Sequence, residues 1–381
     1  MNEAASRGPG KSHWRVRWIA RRNAIFAHPA FQHWCARLPF IRSVAKARAT
    51  AMMDHIVGFS YSQGLRAILE AGLLDMLREG PIATGEVARR ADLSEAGALC
   101  LLRAARALDI AEEALPGHWM LGQQGAVLAA DEGTQAMIAH HRLLYEDLAD
   151  PLALLRKDRR EPTALSRFWS YAGALHGAAE RGEQTDEYSR LMAASQRFVA
   201  DQVLACVSFS RVRRLLDVGG GHGAFVARVG AAYPALRLGL FDLPQVAASA
   251  RSPLGEALGE GRITCHEGNF FTDPIPAGYD CVSLVRILHD HDDAPAAALL
   301  ANIRKSLAPG ARLLIAEPMA RIKGAEPMGE AFFGLYLWAM GSGRARSQRE
   351  IIAMLRAAGF ARARPVASPQ PVIASCIMAT A

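Results

Sequence analysis

Between Arg214 and Gly223 a short apolar run, Arg214-Leu-Leu-Asp-Val218, closes on Gly219-Gly-Gly221-His-Gly223. An uninterrupted apolar run ended by glycines suits a parallel strand buried on both faces. The glycines let the backbone approach a ligand closely while the chain turns into a helix. Runs of the same kind recur at Leu236–Phe241, Asp280–Leu288 and Arg312–Ala316. Helical patterns separate them, among them Ala294–Leu307, which Asp292 or Asp293 can N-cap with Pro295 in the first turn. Strand alternating with helix predicts a doubly wound α/β sheet. The tail differs. A helix over Ile351–Ala358 precedes two strands, Ala361–Val366 and Val372–Met378, joined by Ser368-Pro-Gln-Pro371. A link that short permits a hairpin, hence an antiparallel edge on a parallel sheet.

From about residue 40 to 210 the pattern is helical. Leu65, Ile68, Leu69, Leu73, Leu74 and Leu77 recur at three-four spacing, as a buried helical stripe requires. Thr84–Ala88 starts one further helix, and Ser94 caps another that ends near Asp109. Gly117–Val127 then reads as a hairpin or wing. Helix, turn, helix, wing is a DNA-binding arrangement. The second helix is mostly Ala and Leu, however, with Arg103 and Arg106 its only bases. It reads as a packing surface rather than a reader of base edges, and no nucleic acid partner is expected. The domain boundary is expected near residues 195–212. That gives a basic arm over 1–50, a helical domain over 51–205 and a cofactor domain over 206–381.

Charge is concentrated at the start. Residues 1–50 carry ten Lys and Arg but one acidic residue, Glu3, within a chain of formal net charge +7. Trp14, Trp18, Phe26, Phe31 and Trp34 are interleaved with Arg15, Arg17, Arg21, Arg22 and Arg37. Such an arm serves either as an interfacial membrane segment or as a solvated basic tail; residues 1–12 read as disordered. The six cysteines show no CxxC pairing, as free thiols in a reducing cytoplasm would. No apolar stretch reaches the ~20 residues a membrane span needs. No secretory signal is read at the start. The expected localisation is cytoplasmic, with peripheral contact to the inner face of an anionic membrane as the arm's interfacial reading.

The glycine turn fits two cofactors. Its letters satisfy a dinucleotide fingerprint, with Asp242 standing 23 residues beyond Gly219 as a ribose partner. They equally suit S-adenosylmethionine. Asp217 favours the second, because a carboxylate there attracts a cationic methionyl group and opposes a pyrophosphate. The terminal hairpin and the absence of a following substrate domain favour it too. Asp242, in Phe-Asp-Leu-Pro, is the candidate for both ribose hydroxyls. Asn269 and Phe270, after Glu267-Gly268, are candidates for holding adenine; otherwise they are a turn residue and a core aromatic.

His289-Asp290-His291-Asp292-Asp293 follows the fourth run, at the carboxyl edge where open sheets place ligands. Five adjacent residues cannot all face one ion, and one Asp is needed as a helix cap, so no metal is assigned. Imidazole suits a general base near neutral pH. Glu317, in Ile-Ala-Glu-Pro, is placed to orient the ring of His289. A helix-capping histidine is the alternative. The wall of an acceptor pocket is sought in Tyr188–Val199 and in Phe332, Phe333, Tyr336, Trp338 and Met340, a set that also suits core packing.

Leu-Leu-Asp-Val-Gly-Gly-Gly-His-Gly, Phe-Asp-Leu-Pro, Glu-Gly-Asn-Phe-Phe, Ile-Leu-His-Asp-His-Asp-Asp and Leu-Ala-Pro-Gly-Ala-Arg-Leu-Leu-Ile-Ala-Glu-Pro stand here in one order. That order resembles the plant-type small-molecule O-methyltransferases, over about residues 60 to 381. The resemblance implies an α/β, Rossmann-like methyltransferase sheet with an antiparallel C-terminal hairpin, preceded by a mostly helical winged-helix dimerisation domain that makes a homodimer. It implies S-adenosyl-L-methionine held by Gly219, Asp242, Asn269 and Phe270, with His289 as base and Glu317 behind it; Asp217 and Gly221 join that cofactor set from the reading of the glycine turn itself. The chain departs from that pattern in four places. Asn269-Phe270 replaces an aspartate-methionine pair, Val285 a lysine, His291 a tryptophan, and Ala345 a second glutamate that often flanks the base. His28-Pro-Ala-Phe-Gln-His-Trp, Arg37-Leu-Pro and Val57–Gln63 look like the carotenoid hydroxyl O-methyltransferases of purple phototrophic bacteria. Those methylate the tertiary 1-hydroxyl of acyclic hydroxycarotenoids such as hydroxyneurosporene or demethylspheroidene. Rival acceptors are a bacteriochlorophyllide or a phenolic compound. An NAD-dependent oxidoreductase and a winged-helix regulator are the readings outside the class.

Overall fold

A computed structural model describes residues 9–156, 158–159, 161–169, 196–371 and 373–381. The chain forms two compact units, Met1–Gln123 and Gln124–Ala381. Among the described residues no helix is long and apolar enough to cross a membrane.

The first unit opens with α1 (Pro9–Ala27), α2 (Pro29–Arg37) and α3 (Pro39–Glu70). Each of the three begins on a proline, where the missing N–H costs nothing. His28 caps α2 by accepting a hydrogen bond from the Ala30 N–H through Nδ1. α3 runs unbroken across residue 50, where the arm was expected to end. The alanine-rich stretch Ala45–Ala51 favours helix and offers nothing to stop it. α4 (Leu73–Arg78), β1 (Ile82–Ala83), α5 (Thr84–Arg90) and α6 (Glu95–Ala107) follow, then a hairpin of β2 (Ala111–Leu115) and β3 (His118–Leu121). The small sheet runs β1-β3-β2. Ser94 caps α6 by accepting from the Gly97 N–H. Ala98, Leu102 and Ala105 are buried where α6 packs on α3, α5 and β2, so the Ala-Leu face of α6 is packing surface. The wing is displaced from the expected 117–127: Pro116-Gly117 is its turn, and the chain is helical again from Gln123.

The second unit begins with α7 (Gln123–Ala129), α8 (Glu132–Asp147), α9 (Pro151–Arg156) and α10 (Ala164–Phe168). Then come β4 (Arg214–Val218), α11 (Ala224–Ala232), β5 (Arg237–Asp242), α12 (Pro244–Leu258), β6 (Ile263–Glu267), β7 (Cys281–Val285), α13 (Asp293–Ser306), β8 (Arg312–Glu317), α14 (Phe333–Met340), α15 (Gln348–Ala357), β9 (Arg362–Val366) and β10 (Ser375–Thr380). The seven strands lie in the order β6-β5-β4-β7-β8-β10-β9. The first five are parallel, and β10 is antiparallel to both β8 and β9. This is the expected sheet with its antiparallel hairpin. The last strand begins at Ser375, three residues later than expected, after the two prolines that cannot donate to a ladder; Val372 lies outside the described residues.

Helices α8 and α10 pack on α14 through Leu143, Leu144, Leu165, Phe168, Leu337 and Met340. These contacts tie α8 and α10 to a helix that follows β8 in the chain. The compact division therefore falls at Gln123/Gln124, upstream of the boundary expected near 195–212.

Candidate active site

β4 delivers the glycine turn. The Gly219 N–H donates to the Phe241 carbonyl at 2.8 Å, tying the turn to the end of β5. Gly221 has φ +59° and open space where a Cβ would stand. Its N–H donates to Asp242 Oδ2 at 2.8 Å, while the Leu243 N–H donates to Oδ1 at 2.8 Å. Burial pushes the Asp242 carboxyl up, opposed by those two backbone bonds and by His222. Each carboxylate oxygen keeps a further lone pair for a ligand hydroxyl.

Asp217 lies beneath the turn rather than on its surface. It is buried, accepts the Ser283 O–H on Oδ1 at 2.6 Å, and its Oδ2 has no hydrogen-bond partner. Burial, with Asp242 adding to it and Ser283 opposing, pushes its pKa up to about 7. A Cβ at Gly220 would collide with that carboxyl and with Leu240, so only glycine fits there.

A Cβ at Gly219 would meet Ile287 and the Phe270 ring. Phe270, Phe271 and His291 form an aromatic cluster, with ring centroids 4.6 to 5.7 Å apart. Phe270 thus stands against the glycine turn. Asn269 spends its carbonyl oxygen on the Phe271 N–H at 2.9 Å, and its own N–H on Asp273. The turn-residue alternative describes that oxygen. Gly219, Gly221, Asp242 and Phe270 are brought together, with a carboxylate that keeps free lone pairs, an aromatic face and the orphaned acidic oxygen of Asp217. That donor set fits a cationic nucleoside.

His289 sits in a 3-10 turn, Leu288–Asp290, just past β7. Its imidazole is buried, with Nε2 3.1 Å from Asp290 Oδ1 and no partner on Nδ1. Glu317, wholly buried at the end of β8, accepts the His289 backbone N–H on Oε2 at 3.1 Å. The expectation that Glu317 orients the ring is therefore corrected: it anchors the backbone, and Asp290 partners the ring. The tight turn aims the N–H, not the imidazole, across the sheet to β8. Burial alone would lower the His289 pKa; the charge and hydrogen bond of Asp290, with Glu317 behind them and Arg286 opposing, raise it above its ordinary value. Burial likewise holds the Glu317 carboxyl up, against His289 and Arg346.

Arg346 is the residue the sequence reading missed. Wholly buried, it donates to the Leu288 carbonyl at 2.8 Å, the His291 carbonyl at 2.7 Å and Asp293 Oδ1 at 2.8 Å. The Arg344 N–H donates to the His289 carbonyl at 2.9 Å, and Ser342 Oγ to that of Asp290 at 2.9 Å. The segment carrying Ala345 in place of a glutamate thus grips the 288–293 loop by its backbone. Asp292 holds the N-cap position of α13 without capping it; its carboxylate accepts the Gly343 N–H at 3.0 Å instead.

On the acceptor side, the Phe333 ring lies 5.6 Å from the His289 ring. Phe332, which ends a π-helical segment over Pro327–Phe332, packs at 5.0 Å on Phe333 and at 5.6 Å on Tyr336. The Tyr336 hydroxyl meets His140 Nε2 at 2.7 Å and accepts from Trp169 Nε1 at 3.1 Å. Burial, with smaller contributions from His141, Arg142 and Arg286, pushes His140 down to about 4, so its ring is neutral. Trp338 and Met340 take the core-packing alternative. Trp338 donates to the Leu154 carbonyl under the Arg159 guanidinium, and Met340 is buried with Leu143 and Leu165. Val199 packs with Val203, Phe225 and Val226 in an apolar layer of the sheet. Residues 188–195 lie outside the described residues.

Residues 145–361 match the family model of the O-methyltransferase domain, and residues 53–130 that of the O-methyltransferase dimerisation domain. Demethylspheroidene O-methyltransferase of Cereibacter sphaeroides is 41% identical over 351 residues, covering 92% of this chain and 91% of the relative. The protein of that name from Rhodobacter capsulatus is 41% identical over 348 residues, covering 90% and 85%. Among solved structures, human N-acetylserotonin methyltransferase in complex with SAM superimposes with a TM-score of 0.70 at 22% identity, covering 87% of this chain and 97% of that one, a likeness of fold. The chain belongs to the S-adenosylmethionine-dependent O-methyltransferase family.

Proposed function

We propose that this enzyme methylates the tertiary 1-hydroxyl of an acyclic hydroxycarotenoid, as a homodimer working at the inner face of a membrane. The observation that carries the acceptor is the 41% identity, over 92% of the chain, to an enzyme named for demethylspheroidene. The aromatic wall of Phe332, Phe333 and Tyr336 beside His289 supports it, since an apolar polyene end needs an apolar chamber around one polar group. The dimerisation-domain match supports the homodimer.

When bound, S-adenosylmethionine supplies a methyl already activated by a sulfonium. Asp242 would hold the ribose hydroxyls, Phe270 would offer its ring to the adenine, and ionised Asp217 would supply a negative charge for the methionyl cation. Gly219 and Gly221 let the backbone come close. His289 receives the acceptor's proton at Nδ1, the nitrogen without a partner, while its Nε2–H stays on Asp290. The new O–C bond would form as the donor's S–CH3 bond breaks, the electron pair staying on sulfur so that a neutral thioether leaves, while the O–H proton passes to His289. A tertiary alcohol is a weak acid, so proton loss accompanies bond formation rather than preceding it. Asp290 stabilises the imidazolium that results, and Glu317 and Arg346 keep the loop in place. Positioning supplies much of the acceleration.

The test is incubation with labelled S-adenosylmethionine and a panel of 1-hydroxy carotenoids, a bacteriochlorophyllide and a catechol. Label confined to the carotenoids is expected. Label in the chlorophyllide or catechol alone would replace this reading.

A further inference from the structure

Helix α1 carries a stripe whose composition fits a lipid surface. At roughly 100° of rotation per residue, Trp14, Trp18 and Ile25 fall within an arc of about 40°. Their relative exposures are 68%, 51% and 45%. The same wheel puts Arg17 and Arg21 on one flank of the stripe and Arg15 and Arg22 on the other. Arg22 leans over the Trp18 ring, its guanidinium carbon 5.1 Å from the centroid. The side of the helix bearing Phe26 turns to α2, where Phe26 meets Phe31 edge-on at 5.5 Å. Neither α1 nor α2 contains an acidic residue.

We propose that the Trp14–Trp18–Ile25 face of α1 lies in the headgroup region of an anionic membrane, with the two arginine pairs bound to lipid phosphates on either side. Indole rings sit at the boundary between headgroups and acyl chains, and long arginine stems let their charges reach outward from a buried apolar stripe. A protein partner would have to match four arginines with acids around two tryptophans; an anionic lipid surface supplies that charge everywhere. The helix thereby brings the enzyme to the phase in which an apolar acceptor dissolves. In that respect the inference deepens the proposed function and gives it a surface.

The test uses the full chain, without methyl donor or acceptor, so an error about the acceptor leaves its outcome untouched. Protein is sedimented with vesicles of phosphatidylglycerol in phosphatidylcholine, or of phosphatidylcholine alone, and tryptophan emission is quenched with brominated lipid. Binding about tenfold stronger to the anionic vesicles, weakening with salt, is expected. The variant Trp14→Ala/Trp18→Ala/Ile25→Ala should lose both the binding and most of the quenching. Arg15→Gln/Arg22→Gln should keep residual binding with a flatter salt dependence. Failure of the unaltered chain to bind, or equal binding by the triple variant, would overturn the proposal. So would a triple variant that changes the oligomeric mass in sedimentation velocity while vesicle binding persists, because the face would then belong to a second copy.

Discussion

The imidazole Nε2 of His289 lies 3.1 Å from a carboxylate oxygen of Asp290, its own neighbour in the chain, while Glu317 grips the His289 backbone. Two carboxylates thus divide the work on one histidine. Asp290 sets the tautomer and raises the pKa, and Glu317 fixes where the ring is mounted.

Asp290→Asn removes the largest influence that holds the His289 pKa up, leaving burial to pull it down. A base must be unprotonated to act, so turnover rises with pH through the histidine pKa. The acid limb of the kcat profile should move to lower pH in the variant, and the plateau should fall because the imidazolium loses its counter-charge. A pH series of single-turnover rates checks both. An unmoved limb would place the titration elsewhere.

Asp217 predicts a pH dependence of donor binding. Its pKa, pushed up to about 7 by burial, leaves a good part of it protonated at neutral pH. A cationic ligand favours the ionised form, so binding releases a proton and the Kd falls as pH rises from about 6 to 8. The same raised pKa means that this carboxyl costs stability progressively as pH rises from about 4 to about 7, with no further loss above that. Asp217→Asn should abolish the dependence of Kd on pH. Calorimetry in buffers of different ionisation enthalpy reads the released proton directly.

Gly220→Ala and Gly221→Ala separate crowding from backbone strain. A Cβ at 220 collides with the Asp217 carboxyl and Leu240, so the turn must open and donor binding should be lost. At 221 the protein itself leaves room, so the fold is kept at a cost of about 1 kcal/mol for φ +59°, and the Cβ standing on the donor's side should weaken binding rather than abolish it. Equal effects on Kd would contradict this distinction.

Arg346→Met leaves the Leu288 and His291 carbonyls and Asp293 without their buried donor. Unfolding free energy should fall by about 2 to 3 kcal/mol, the cost of leaving two buried carbonyls without a donor, since exposed Asp293 keeps Arg344. Urea denaturation measures it. Arg346→Lys, which keeps the charge but not the fork, should recover only part.

The sheet was legible because each parallel strand announces itself as a short apolar run, and glycines mark the turn after β4. Asp242, Phe270 and His289 were legible for the same reason, since each follows a strand and so stands at its carboxyl edge. What escaped depends on geometry that no spacing carries. Whether Glu317 meets the ring or the backbone of His289 is decided by a three-residue 3-10 turn. Arg346 lies 53 residues beyond Asp293, and only the fold brings them to 2.8 Å. His140 and Trp169 join Tyr336 across more than 160 residues. At two places the described fold adds to the local signals. The basic composition suggested an arm ending at 50, although the backbone continues as one helix to Glu70. The change of periodicity near 211 suggested a boundary, although α8 and α10 bury their apolar faces on α14.

The most direct measurement compares His289→Ala with the unaltered enzyme on a 1-hydroxy carotenoid, following single-turnover methyl transfer and donor affinity together. Turnover should fall by about a hundredfold or more, the scale of a lost general base, with donor Kd within about twofold. Unchanged turnover would contradict the assignment of His289 as the group that takes the hydroxyl proton.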